Sequence, residues 1–159
     1  MEDRLLALKL ILDEAGIGPS IRKMRDRKRV QKVVYLLQAA GVPTNYSFGW
    51  YIKGTYSTTL TRDYYALDDA LKMGELPDGG RLRAEIRDVI GSLRPMFEPP
   101  VEEIADDDWV ELVAAVHYLK QRLGYDPTQV STVLKEQKPH VAEFERHAVN
   151  ALADSGLLD

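Results

Sequence analysis

The chain is expected to fold as a mainly α protein with a small β element, a winged-helix-like N-terminal half packed with a C-terminal helical bundle. Three observations predict this. Apolar residues recur at helical spacing through most of the 159 residues, and the period drops to two only across 46–52. A turn-rich stretch, Leu76-Pro77-Asp78-Gly79-Gly80, then separates this mixed part from one that is helical throughout. The length suits a single domain, 1–159, with halves at 1–75 and 81–159. A chain of this size buries roughly 70% of its unfolded surface, so it holds a core without staples.

Residues 3–15 read as a first helix, closed by Gly16 and broken at Gly18-Pro19. A second helix runs from Arg25 or Asp26 to Ala40. Within it Val30, Val33, Val34 and Leu37 fall at i, i+3, i+4 and i+7, and Gly41 with Pro43 stops it. Tyr46, Phe48, Trp50 and Ile52 then alternate with Ser47, Gly49, Tyr51 and Lys53, the pattern of a half-buried strand and the one convincing strand of the chain. Gly54 permits a turn, and Ser57 or Thr58 caps a helix carrying Leu60, Tyr64, Leu67 and Leu71. Beyond 80, Leu82, Ile86, Val89, Ile90 and Leu93 share one face, and a loop rich in proline and acid spans 95–105. Aspartates 106, 107 and 108 suit the positive end of a helix bearing Trp109, Leu112, Val113, Val116 and Leu119. Asp126-Pro127 is a cap and first-turn pair, and short helices from Pro127 and Pro139 finish the chain.

The charge of −4 is unevenly spread. Residues 21–32 carry seven bases and one acid, whereas 98–111 carry seven acids and no base. Such asymmetry means either two partners or one intramolecular meeting of opposite patches. Arg25, Lys28, Arg29 and Lys32 fall on one helical face, opposite Val30, Val34 and Leu37, and are expected to form a solvated cationic stripe. That stripe would meet phosphates or an acidic protein, or serve only as the wet face of an ordinary helix; the acidic isoelectric point of about 5.4 counts against extended nucleic-acid binding. Five tyrosines and Trp50 concentrate in 46–65. Phe48, Trp50 and Tyr64 are expected inward, and Tyr51 and Tyr56 outward, where aromatic rings serve recognition.

Catalytic chemistry finds little support. The chain has no cysteine, which excludes disulfides and thiolate sites, and no serine sits in a nucleophile elbow. His140, Glu143 and His147 would share a helical face, but i and i+7 lie two turns apart, too far for both rings to share an ion. His117, among apolar neighbours, reads as a packed or edge residue. Aspartates 106–108 are better explained as a helix start than as a magnesium site. No cofactor, no metal and no enzymatic activity are expected. The apolar stretch 5–12 is preceded by acids, interrupted by Lys9 and far shorter than the ~20 residues of a membrane span, so a cytoplasmic location without a membrane anchor is expected.

The segments KRVQKVVYLLQAAG and FGWYIKGTYS resemble the YwgA-like proteins and, more distantly, the Panacea or SocA-like antitoxin domain. Lys28, Gln31, Lys32, Tyr35 and Gln38 match the helical part, and Tyr51, Gly54, Tyr56 and Ser57 the strand part; Thr55 stands where the family usually has proline. The similarity covers roughly residues 3–75. The Panacea resemblance implies a helical domain that neutralises a toxin by direct contact or acts as a proteolytic adaptor; for YwgA-like proteins it implies no established activity. The expectation is therefore a non-enzymatic interaction module of antitoxin or phage-defence type. Its contact surface would comprise Arg25, Lys28, Arg29, Lys32, Tyr51, Lys53 and Tyr56, with a toxin or defence protein as partner. The alternative is a winged-helix-like DNA-binding transcriptional regulator using the same stripe, which would require a homodimer.

Overall fold

The computed structural model of the chain describes residues 2–51 and 54–158. Seven α-helices and one strand pair follow in order among them: α1 (Glu2–Glu14), α2 (Met24–Ala39), β1 (Gly49–Tyr51), β2 (Gly54–Tyr56), α3 (Thr58–Lys72), α4 (Ala84–Leu93), α5 (Asp106–His117), α6 (Pro127–Gln137) and α7 (Glu145–Asp154). The protein is thus mainly α with a small β element. Among the described residues no helix is long and apolar enough to cross a membrane.

α5 is the centre of the molecule. Every residue from Trp109 to His117 is buried, because α2 and α7 pack on it and β2 covers a further side. The Trp109 indole donates to the Met96 carbonyl at 2.8 Å, so the bulkiest side chain of the core is also satisfied. α1 closes the other end of the core against α3 and α4. The buried apolar set runs without a break from Leu5 to Leu152, so both halves of the sequence feed one core. The helix starts follow the capping residues. Ser57 accepts from the Leu60 amide at 3.2 Å, and Asp126 and Gln129 cap one another's backbone amides at 2.8 and 2.9 Å.

The β element differs from the single strand expected over 46–52. Its paired part begins at Gly49, in the antiparallel register Gly49↔Tyr56, Trp50↔Thr55 and Tyr51↔Gly54. Gly54, at a φ of 91°, begins the second strand, which no alternation betrays because it is only three residues long. Phe48 points inward as expected and Tyr46 is buried as well, although 46–48 pair with no strand. Ile52 and Lys53 lie outside the described residues. At the C-terminal end, the helix expected from Pro139 is a 3₁₀ turn at Ala142–Phe144 followed by α7.

Candidate functional site

α2 holds the segments that follow it by their backbones. Gln31 donates to the Ser57 carbonyl and accepts from the Ser57 amide, both at 2.9 Å, the two-point pairing a strand would otherwise make. Lys32 donates to the Thr55 carbonyl. Two turns along, Gln38 repeats the pattern on Tyr46, donating to its carbonyl and accepting from its amide, both at 2.8 Å. The residues that carry the family resemblance therefore fasten the hairpin and the segment before it onto one helix. Gly54 follows from the same crowding: a Cβ there would lie 3.2 Å from Lys138 Cε and 3.3 Å from its Nζ.

The expected solvent stripe needs correction. Lys32 is 1% exposed, and Lys28 Nζ is held by Asp107 at 2.9 Å, Asp108 at 2.7 Å and Glu111 at 2.9 Å. Lys138, also 1% exposed, reaches the other Glu111 oxygen at 2.6 Å and lies 5.6 Å from the Trp50 ring centroid. The basic and acidic runs thus meet inside the molecule: Lys28 from α2 and Lys138 from the end of α6 converge on Asp107, Asp108 and Glu111 of α5, while Lys32 beside them bonds the Thr55 carbonyl. Helical periodicity alone placed Lys28 and Lys32 outward. It missed them because α5 and the hairpin pack against that side of α2, α5 supplying carboxylates to Lys28 and the hairpin a backbone carbonyl to Lys32, partners that make burial of ammonium groups tolerable. Burial works against ionisation of Glu111, but hydrogen bonds from Lys138 and Lys28 outweigh it and hold its carboxyl down at about 2. Burial likewise disfavours the charged form of Lys28, and the three carboxylates outweigh it, pushing its pKa up. Arg29 points elsewhere, toward Glu98 at 3.6 Å, and Arg25 stays exposed.

His140 does not join His147 on a helical face; it precedes the 3₁₀ turn, and its Nε2 lies 3.5 Å from Glu111 and 4.0 Å from Asp108. Ligand atoms of Asp108, Glu111 and His140 all fall within 4.8 Å of one another, a spacing a metal ion could use. The Asp108 and Glu111 oxygens facing that space are the ones on the Lys28 ammonium, so a cation would have to displace one already in place.

Beside this seam opens a cleft of about 340 Å³ between α2, the hairpin and α3. Lys28, Gln31 and Lys32 line it, together with Arg27, Met24 and the rings of Tyr51, Tyr56, Tyr64 and Tyr65. Met24, Tyr51 and Tyr65 are 56%, 52% and 47% exposed, an unusual concentration of uncovered apolar area on one rim. Tyr51 meets Tyr56 edge to face at 5.4 Å, and Thr61 donates to the Tyr56 hydroxyl at 2.6 Å, so Tyr56 is fixed while Tyr51 is the outer ring. Of the residues expected at the contact surface, Lys28, Lys32, Tyr51 and Tyr56 come together here; Arg25 and Arg29 do not line the cleft. Sequence reasoning missed Met24, Arg27 and Tyr65, which reach it from the first turn of α2 and from the α3 face beside Tyr64. No family model, no curated protein and no solved structure matches the chain.

Proposed function

We propose that the protein is a non-enzymatic interaction module of antitoxin or defence type, and that it grips an acidic, partly apolar segment of a partner protein in the tyrosine-lined cleft. The exposed rim of Met24, Tyr51 and Tyr65 carries this reading, since large amphipathic side chains left uncovered around a concavity are what hot spots of protein interfaces use. Charge supports an acidic partner: Arg22, Lys23 and Arg25 are exposed on the approach to α2, and Arg27 lines the cleft. The antitoxin or defence assignment rests on the resemblance of 28–57 to the Panacea and YwgA-like pattern. Lys28 and Lys32, being engaged by the protein itself, act here as the floor of the cleft and not as its reaching contacts.

The test is co-purification with the product of the adjacent gene, followed by measurement of affinity for the isolated pair. The complex is expected to survive nuclease treatment, and Tyr51→Ala or Tyr65→Ala is expected to raise its dissociation rate at unchanged thermal stability. Sequence-selective DNA binding at physiological salt, indifferent to Tyr51→Ala, would replace this reading with the DNA-binding regulator.

A further inference from the structure

A second cavity, of about 270 Å³, opens between α2 and the end of α5, lined by Tyr35, Gln38, Ala39, His117 and Arg122. We infer that it is a binding site for a small oxyanion, the phosphate or carboxylate group of a metabolite-sized ligand. The polar groups lining it sort into those already spent and those still available. Gln38 is committed to Tyr46 and to Thr44, whose hydroxyl it accepts at 2.6 Å. The Tyr35 hydroxyl lies 2.7 Å from His117 Nδ1. Burial, and then the Arg122 charge, hold the His117 imidazole down at about 4, so the ring is neutral at pH 7. Burial also pushes the Tyr35 phenol up, which keeps its proton on oxygen. With the Tyr35 hydroxyl donating to Nδ1, the neutral ring carries its hydrogen on Nε2 and can donate there.

Arg122 supplies the charge. It is exposed, its guanidinium sits 5.3 Å from the Tyr118 ring centroid and hydrogen-bonds the Tyr35 hydroxyl, and among the described residues no carboxylate pairs with it, so its remaining donors are available. The backbone that delivers it is irregular. Tyr118–Arg122 is a π-helical turn directly continuing α5. On a regular α-helix, residues five apart diverge by about 140° at the 3.6-residue period, so Arg122 would turn away from His117. The wider π turn brings the two onto one cavity, and such turns recur at functional sites. A fork of guanidinium donors and a neighbouring imidazole N–H match the oxygens of a phosphate or carboxylate, for which Arg is the preferred side chain.

The experiment is a titration of the full chain with inorganic phosphate, and separately with acetate, following the His117 ring signals by NMR with ionic strength held by sodium chloride. A saturable shift with either anion is expected, together with a raised His117 pKa at saturation, since a bound anion favours the imidazolium. Saturation by phosphate alone assigns a phosphate ligand, by acetate alone a carboxylate, and by both the shared oxyanion class. Arg122→Gln, an exposed substitution, is expected to weaken binding about tenfold or more, the loss of a charge-assisted hydrogen bond, with Arg122→Lys in between. No saturable shift with either anion, a response that sodium chloride reproduces, or an unchanged affinity in Arg122→Gln would overturn the inference.

Discussion

Lys28 and Arg25 stand one turn apart in the same basic run, yet they belong to different regions. Lys28 lies in the seam where α2 meets α5, bonded to three carboxylates, whereas Arg25 lies on the outer approach to the tyrosine cleft, exposed to solvent. The seam consists of charges that satisfy one another; the cleft rim consists of rings and cations that the chain leaves uncovered. The second is the surface the proposed partner would meet. A charge run in a sequence therefore divides into structure and surface according to what packs against each turn, and the division can be tested residue by residue.

The largest effect belongs to the seam. Glu111→Leu leaves Lys138 buried without its carboxylate and is expected to cost about 3–5 kcal/mol, read by chemical denaturation. Charge reversal at Lys28 and Lys32 together should be comparably damaging, since it sets one carboxylate against Asp107, Asp108 and Glu111 and buries another against the Thr55 carbonyl. Next comes the dependence on pH. Below about 6.5 the unfolded chain protonates His117 while the folded chain, with its value near 4, does not, so stability falls as pH is lowered through that window. Glu111 adds a second loss between about 4.5 and 2, where the unfolded chain takes up a proton before the folded one does. A urea midpoint that stays constant from pH 7 to 4 would contradict the first part, and His117→Gln should flatten that limb.

A smaller effect is expected at Gln31. Gln31→Ala removes both bonds to Ser57 and should cost about 1–3 kcal/mol, accompanied by faster amide exchange at Ser57. The smallest belongs to the exposed first turn of α2. Arg25→Ala should change stability by no more than about 0.5 kcal/mol, visible only as an unchanged melt.

The helices were legible because their apolar stripes and caps are local. Val30, Val33, Val34 and Leu37 are all buried as their spacing requires, and Ser57 caps α3. The inward placing of Phe48 and Tyr64 held for the same reason, while Trp50 is only half-buried, its indole donating to Gln137 at 3.0 Å. The seam was legible only as a disjunction, since opposite charge runs 80 residues apart do not say whether they meet each other or a partner. What resolved it is tertiary: α5 lies on α2, and Lys138 arrives from the end of α6, with no periodicity to announce it. The second strand was hidden by its length, and the Tyr35–His117 contact by the 82 residues that separate its partners.

The buried charges of α2, α5 and the end of α6 form one structural unit. A double-mutant cycle on Lys138→Met and Glu111→Leu, measured by equilibrium denaturation, tests it most directly. Lys138 and Glu111 touch at 2.6 Å with both groups buried, so Glu111→Leu strands the Lys138 ammonium and Lys138→Met leaves one Glu111 oxygen without its partner, while the double variant removes both groups. A coupling of about 1–3 kcal/mol is predicted, with the double variant more stable than Glu111→Leu alone. Additivity within about 0.5 kcal/mol would mean that the two groups do not depend on each other, and would contradict the seam.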